Sequence, residues 1–215
     1  VVSFDRMNKI LNFDETDLVV TVQPGVITEN LQSFAKEKGY YFPIDFAAKG
    51  SSQIGGNVAT NAGGVKVVKY GLTRQWVSGL KAVTGAGQVL DLNRSLKKNA
   101  TGYDFRHLLI GSEGTLAFFT EIQIQLTTAP QNLKVLILGL EQLENALTVY
   151  RTFNKKFSLT ACEFFSHQAM EKVLAAHSKL AKPFDTEAPY YLLLELEEGT
   201  SGSEDLEAAF TECFE

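Results

Sequence analysis

The chain has 215 residues, 45% of them hydrophobic and 21% charged, with a formal net charge of -5. This composition excludes disorder and collagen-like repeats, and no apolar run approaches the roughly 18 residues of a membrane span. A chain of this size buries roughly 70% of its unfolded surface without a disulfide framework. The two cysteines, Cys162 and Cys213, fit a reducing compartment and are too few for a zinc site.

The charge is unevenly placed. Residues 46–90 hold five bases (Lys49, Lys66, Lys69, Arg74 and Lys81) and no acid, whereas residues 183–215 hold ten acids and no base. A basic block in an acidic chain is either a solvated face or a seat for an anionic ligand, and the acidic stretch reads as a solvated face. A pI near 5.3 and the lack of an aromatic-interleaved basic stripe disfavour nucleic acid.

In chain order, strands are expected at residues 1–4, 10–13 and 18–23, the last alternating Val20 and Val22 with Thr21 and Gln23. A helix follows, with Thr28 as N-cap, Leu31, Phe34 and Ala35 at helical spacing, and Gly39 as its stop. Short strands at residues 77–84 and 89–92 flank the turn Gly85-Ala86-Gly87, and a longer strand covers residues 115–126. Beyond Pro130 strands at 133–138, 159–165 and 190–196 alternate with helices at 142–155, 168–177 and from 204 onward. That alternation predicts a second α+β unit, giving domains at 1–130 and 131–215. The start on Val1 without a Met and the end inside a helical pattern lead to the expectation of a fragment.

Twelve of the seventeen glycines lie between Gly50 and Gly114. The run Gly55-Gly56-Asn57-Val58-Ala59-Thr60-Asn61-Ala62-Gly63-Gly64 offers backbone N–H groups, hydroxyls and amides without bulk, a surface suited to a phosphate or a planar polar ring. It matches neither the dinucleotide fingerprint nor a Walker loop. On composition alone, tight turns in a β-rich domain are the favoured explanation.

The order and spacing of this run, Tyr70-Gly71, Thr101-Gly102-Tyr103-Asp104 and Gly111-Ser112-Glu113-Gly114-Thr115-Leu116 resemble the FAD-linked oxidases with a vanillyl-alcohol-oxidase-type (PCMH-type) flavin domain. Within that family the chain is similar to the D-2-hydroxyacid dehydrogenases acting on D-2-hydroxyglutarate, D-lactate or glycolate. Ser3-Phe4-Asp5-Arg6-Met7-Asn8, Pro43-Ile44-Asp45 and Ala161-Cys162-Glu163-Phe164-Phe165 resemble the D-2-hydroxyglutarate members.

The resemblance implies an α+β fold: a partial FAD-binding domain lacking an upstream phosphate loop, then the start of a ferredoxin-like substrate cap. It implies FAD as cofactor, lined by Pro43, Asp45, Gly55, Gly56, Asn57, Thr60, Gly63, Gly64, Tyr70 and Gly71. Glu113, Gly114 and Thr115 would close the other side, and Glu121 and Ile122 would meet the nucleotide through backbone groups. Ala117 departs from the family's usual Gly. A diphosphate beside the glycine run favours the anion-seat reading of the basic block.

The implied chemistry is oxidation of a D-2-hydroxy acid to the 2-oxo acid, with hydride passing to flavin N5. The electron acceptor would be a quinone or an electron-transfer flavoprotein, and a homodimer is compatible. The location implied is cytoplasmic, peripheral to the inner membrane or, in a eukaryote, mitochondrial. The family's catalytic and metal-ligating histidine segment is expected downstream, so this chain supplies no catalytic residue and no metal ligand. His107, His167 and His177 read as surface or satisfied helical residues. The alternatives are a non-catalytic flavin-binding accessory subunit of a glycolate-oxidase-like complex and, less favoured by the Asn61-Ala62-Gly63-Gly64 context, a cell-wall precursor reductase.

Overall fold

A computed structural model describes residues 2–92, 98–197 and 203–214. It divides into two units: Val1–Gly64 with Tyr70–Ala129, and Val65–Lys69 with Pro130–Glu215. Val1 and Glu215, the outer ends of two expected elements, lie outside the described residues.

The first unit contains β1 (Ile10–Asp14), β2 (Val19–Val22), α1 (Thr28–Glu37), α2 (Ile54–Ala59), the last residue of α3 (Val67–Tyr70), β3 (Val77–Thr84), β4 (Val89–Asp91), α4 (Arg106–Leu109) and β5 (Ala117–Gln125). Its antiparallel sheet runs β1-β2-β5-β3-β4. Val20, Val22, Leu80, Ala82, Ile122 and Ile124 turn inward and are fully buried in one cluster with Leu31, Ala35, Ile54 and Val58 of α1 and α2. Complete burial of an aliphatic side chain stabilises the fold by about 1.5–3 kcal/mol, so these alternating positions hold the sheet to its helices.

Strict alternation would put Phe119 and Ile122 on opposite faces of β5, yet both are buried. A bulge resolves this: Lys81 pairs with Glu121 and Ala82 with Phe119, leaving Thr120 as the extra residue. The Thr120 hydroxyl donates to the Lys81 carbonyl at 3.2 Å.

Two expectations for this unit are corrected. Val2–Phe4 form no strand. The Phe4 carbonyl accepts the Met7 N–H at 2.8 Å in a local turn, so it is not offered to a ladder. Thr28 is the first residue of α1, with Ile27 at the cap. Its hydroxyl is taken by tertiary partners, Ser52 Oγ at 2.7 Å and the side-chain amide of Asn57 at 2.7 Å. The stop at Gly39 holds: with φ of 82° it lets Gly39 N–H reach the Lys36 carbonyl and Tyr40 N–H the Ala35 carbonyl, a Schellman ending.

The second unit contains β6 (Leu133–Leu140), α5 (Asn145–Lys156), β7 (Ser158–Ser166), α6 (His167–Ala176), β8 (Tyr190–Glu197) and α7 (Ser203–Phe214). Its antiparallel sheet runs β6-β8-β7. Leu192, Leu194 and Leu196 on one face of β8 pack with Leu138, Val149, Phe153, Phe157, Leu159 and Ala209. Phe153 meets Phe210 edge-on at 5.5 Å, and Lys156 pairs with Glu212 at 2.7 Å, joining α5 to α7. Ser166 caps α6, its hydroxyl accepting the Ala169 N–H at 3.2 Å. The fold is of the α+β class. Among the described residues, no helix is long and apolar enough to cross a membrane.

Candidate functional site

The glycine run begins as α2, seated deep in the first unit. Ile54 N–H donates to the Val26 carbonyl and Gly55 N–H to the Pro24 carbonyl, both at 2.8 Å. That approach leaves no room for a side chain, since a Cβ on Gly55 would collide with the Pro24 ring. Asn57 is buried, and its bond to Thr28 makes it an anchor of the loop. Gly56 and Thr60 are exposed, with the Thr60 hydroxyl donating back to the Gly56 carbonyl at 3.0 Å.

After Thr60 the chain turns through Asn61, whose φ of 49° is left-handed. Asn61 Oδ1 accepts the Arg74 N–H at 3.0 Å, and the Ala62 carbonyl accepts both the Thr73 N–H at 3.0 Å and the Thr73 hydroxyl at 2.7 Å. Gly64 lies against the backbone of Asp45, so that a Cβ there would strike the Asp45 carbonyl oxygen. Asp45 pairs with Lys49 at 2.8 Å, which raises the Lys49 ammonium above its usual range. Pro43 is buried beside it in the chain. Tyr70 presents its ring to Tyr41 and Trp76, and its carbonyl accepts the Trp76 indole N–H at 2.9 Å. Gly71 follows with a positive φ.

The second glycine cluster is hydrogen-bonded directly to the first. Gly111 N–H donates to the Val58 carbonyl at 3.1 Å and Glu113 N–H to the Ala59 carbonyl at 2.9 Å. Arg74 reaches across with its guanidinium to the Ile110 carbonyl at 3.2 Å. Asn61, Gly111, Glu113 and Gly114 all adopt left-handed backbone conformations here, and such a concentration is typical of sites rather than of scaffolds. Glu113, Gly114 and Thr115 are exposed. Ser112 Oγ, between them and Gly111, is buried with no hydrogen-bond partner among the described residues.

The structure thus brings Pro43, Asp45, Gly55, Gly56, Asn57, Thr60, Gly63, Gly64, Tyr70, Gly71 and Glu113 to Thr115 into one connected region. Glu121 and Ile122 stand apart from it in mid-β5. Glu121 pairs with Lys81 at 3.1 Å, and Ile122 is fully buried between Val22 and Leu80. Two contributors were not singled out from sequence. Arg74 counted only as a member of the basic block, although it lies three residues past Gly71; Ser112 counted only as motif context.

The basic block is not an open anion seat, and that expectation is corrected. Lys49, Lys81, Lys66 and Lys69 are paired with Asp45, Glu121, Glu195 and Glu197, and the Arg74 guanidinium is held on a backbone carbonyl. Lys66 and Lys69 belong to the second unit.

Asp104, in the Thr101-Gly102-Tyr103-Asp104 motif, grips Arg106 through Nε at 2.9 Å and Nη2 at 2.6 Å. This hydrogen bonding holds its carboxyl below the usual range. Arg106 in turn donates to the carbonyls of Val77 and Ser78, fixing the start of β3. Of the histidines, His107 is exposed near Asp104, His167 starts α6 beside the Tyr191 hydroxyl at 3.3 Å, and His177 ends that helix. Burial raises the Cys162 and Cys213 thiols above their usual range.

The region fits a large cofactor with phosphate and planar parts. A Cβ added at Gly56 or Gly114 meets no atom within 4 Å, so both glycines border open space, and Ser112 Oγ is an orphaned polar atom at the same place.

Comparison with known proteins agrees with that chemistry. A family profile described as "FAD binding domain" matches residues 1–93, and one described as "FAD linked oxidases, C-terminal domain" matches residues 129–215. The chain is 52% identical to D-2-hydroxyglutarate dehydrogenase of Stutzerimonas stutzeri over all of its length and 46% of that protein. It is 38% identical to the mitochondrial D-2-hydroxyglutarate dehydrogenase of Arabidopsis thaliana over 95% of this chain and 36% of that one. The chain spans about half the length of the first of these relatives, or less. Among solved structures, alkyldihydroxyacetonephosphate synthase superposes with a TM-score of 0.74 at 21% identity, covering 97% of this chain and 40% of that one, a likeness of fold alone.

Proposed function

Because the chain belongs to the FAD-linked oxidases, we propose that the full-length protein oxidises a D-2-hydroxy acid, D-2-hydroxyglutarate, to the corresponding 2-oxo acid. The observation that carries this reading is 52% identity to a D-2-hydroxyglutarate dehydrogenase through both units of the chain. In this reading residues 1–130 contribute to the FAD platform and residues 131–215 begin the substrate domain.

When bound, FAD would supply a two-electron acceptor, at flavin N5, for the C2 hydrogen and its electron pair. The chain's own residues do the holding. Gly56 and Gly114 keep the surface free of bulk, and the Ser112 hydroxyl stands there without a partner among the described residues. The hydroxyls of Thr60 and Thr115 close local turns on the Gly56 and Ser112 carbonyls, and Asn57, Arg74 and the Asn61 turn fix that surface before the cofactor arrives. Rigid placement of a cofactor against its substrate is the protein's share of such a reaction. The base that accepts the hydroxyl proton is assigned to a histidine segment outside this chain. Electrons then pass to a quinone or an electron-transfer flavoprotein, in the cytoplasm of a bacterium or the mitochondrion of a eukaryote.

The test is flavin bleaching in the full-length protein on mixing with D-2-hydroxyglutarate, D-lactate or glycolate, followed by turnover with a dye acceptor. Bleaching by D-2-hydroxyglutarate supports the reading. Bleaching by D-lactate or glycolate alone reassigns the substrate, and none with any of the three overturns it.

A further inference from the structure

The glycine run has an end without side chains. Gly63 and Gly64 cannot anchor themselves, and their position is imposed from outside. On one side Gly64 abuts the Asp45 carbonyl. On the other, the next residue begins Val65–Lys69, a stretch grouped with the second unit.

That stretch is bound to β8 by two ion pairs, Lys66 to Glu195 and Lys69 to Glu197. The spacing explains the match. Lys66 and Lys69 are three residues apart around the single turn of α3, about 5 Å between side-chain origins. Glu195 and Glu197 are two residues apart on one face of a strand, roughly 6.6 Å. This is the face opposite Leu192, Leu194 and Leu196, so the core and the ion pairs do not compete for the same side of β8.

The first pair is also built in from below. Lys66 is only 9% exposed. The Glu195 carboxylate accepts the hydroxyl of Thr160 as well as the Lys66 ammonium, and Thr160 is fully buried at the bulge of β7, where the pairing steps from Leu159 to Ala161. The Thr160 hydroxyl also lies 3.2 Å from the Glu195 carbonyl. Glu197 is fixed by a second donor too, the Gln131 N–H at 2.8 Å. A partly buried, multiply bonded pair sets geometry more firmly than an exposed one, which trades partners with water.

We propose that Lys66 and Glu195, seconded by Lys69 and Glu197, are positioning residues for the cofactor: they fix the exit of the Gly55 to Gly64 run and so set how tightly FAD is held. The inference rests on the FAD-platform reading. Neither pair touches the reacting atoms; each acts through the peptide link from Lys66 back to Gly64.

The test uses the full-length protein as wild type, Glu195→Gln, Glu197→Gln and the charge swap Lys66→Glu with Glu195→Lys. FAD affinity is read by titrating the apoprotein and following quenching of flavin fluorescence. Tryptic cleavage after Lys66 and Lys69 reports whether the stretch has come loose. Glu195→Gln is expected to weaken FAD by about tenfold, the scale of coupling between linked sites, and to expose Lys66 to trypsin. Glu197→Gln is expected to weaken FAD less, and the swap to recover the loss, which a general destabilisation would not do. A Glu195→Gln protein with wild-type affinity and wild-type cleavage overturns the inference alone. A wild type that takes up no FAD overturns the platform reading and this inference with it. Should Glu195→Gln fail to fold, Glu197→Gln decides: weakened FAD supports the inference and unchanged affinity overturns it.

Discussion

The glycine clusters of the first unit and the α5–β8 core of the second are built on opposite terms. In the clusters, position is defined by what is missing: backbone meets backbone at Gly111 and Val58, at Glu113 and Ala59, and at Gly64 and Asp45. In the core, position is defined by bulk, with Phe153, Leu192, Leu194 and Leu196 at most 2% exposed. A site that must admit a large ligand keeps its side chains small and draws its rigidity from backbone bonds and strained φ values. A scaffold that admits nothing fills its interior. Substitutions in the two regions should therefore fail differently.

The largest effect is expected in the core. Phe153→Ala removes a fully buried ring that contacts Phe157 and Phe210, and should destabilise the protein by about 4 kcal/mol. Urea denaturation of the full-length protein measures this, and FAD affinity taken well below the transition should stay within twofold of wild type. Gly64→Ala comes next. Its methyl meets the Asp45 carbonyl, with a cost of about 2 kcal/mol by overpacking, and here stability and FAD affinity should fall together. If Phe153→Ala lost flavin as severely as Gly64→Ala, the division between scaffold and site would be wrong.

The same contrast governs what could be read in the sequence. Helices and strands of the second unit follow from apolar spacing because large side chains write a period: alternation in Leu192, Leu194 and Leu196 marks β8, and Val149 with Phe153 marks α5. The strand expected at residues 1–4 fails because apolar residues make a strand only where a neighbour takes their backbone bonds, and the Phe4 carbonyl is turned back on Met7. Charge was the least legible property. The resemblance favours an anion seat for the five bases from Lys49 to Lys81, but their carboxylate partners come from as far away as Glu195 and Glu197, which no local pattern reveals. The glycine motifs were visible as letters, whereas the bonds joining them through Arg74 and Asn61 depend on the fold.

A subtler substitution separates the two kinds of glycine inside one helix. Gly55 is packed against Pro24, while a Cβ on Gly56 meets nothing within 4 Å. Gly56→Ala should therefore stabilise α2, by about 0.5–1 kcal/mol in thermal or urea unfolding, because alanine loses less chain entropy in a helix. If the open space at Gly56 is where the cofactor lies, FAD affinity should drop even as stability rises. A rise in stability with unchanged affinity would move the cofactor away from that glycine.

The smallest expected effect is a pH dependence located on β8. The Lys69 ammonium, and after it the Gln131 N–H, hold the Glu197 carboxyl below its usual range. A carboxyl whose native value is depressed contributes stability that is fully present above its unfolded value and disappears as the pH falls through the native value. Wild type should accordingly lose more stability than Glu197→Gln when urea melts are compared at neutral pH and on acidification to about pH 4 and below, through the ordinary carboxylate range. Because the Glu197 side chain is 24% exposed, the difference should be a small fraction of the Phe153→Ala effect and should shrink in high salt. Equal acid sensitivity of the two proteins would mean that Lys69 and Glu197 do not hold each other in solution, and would leave the tie of Lys66 to Glu195 to be tested by itself.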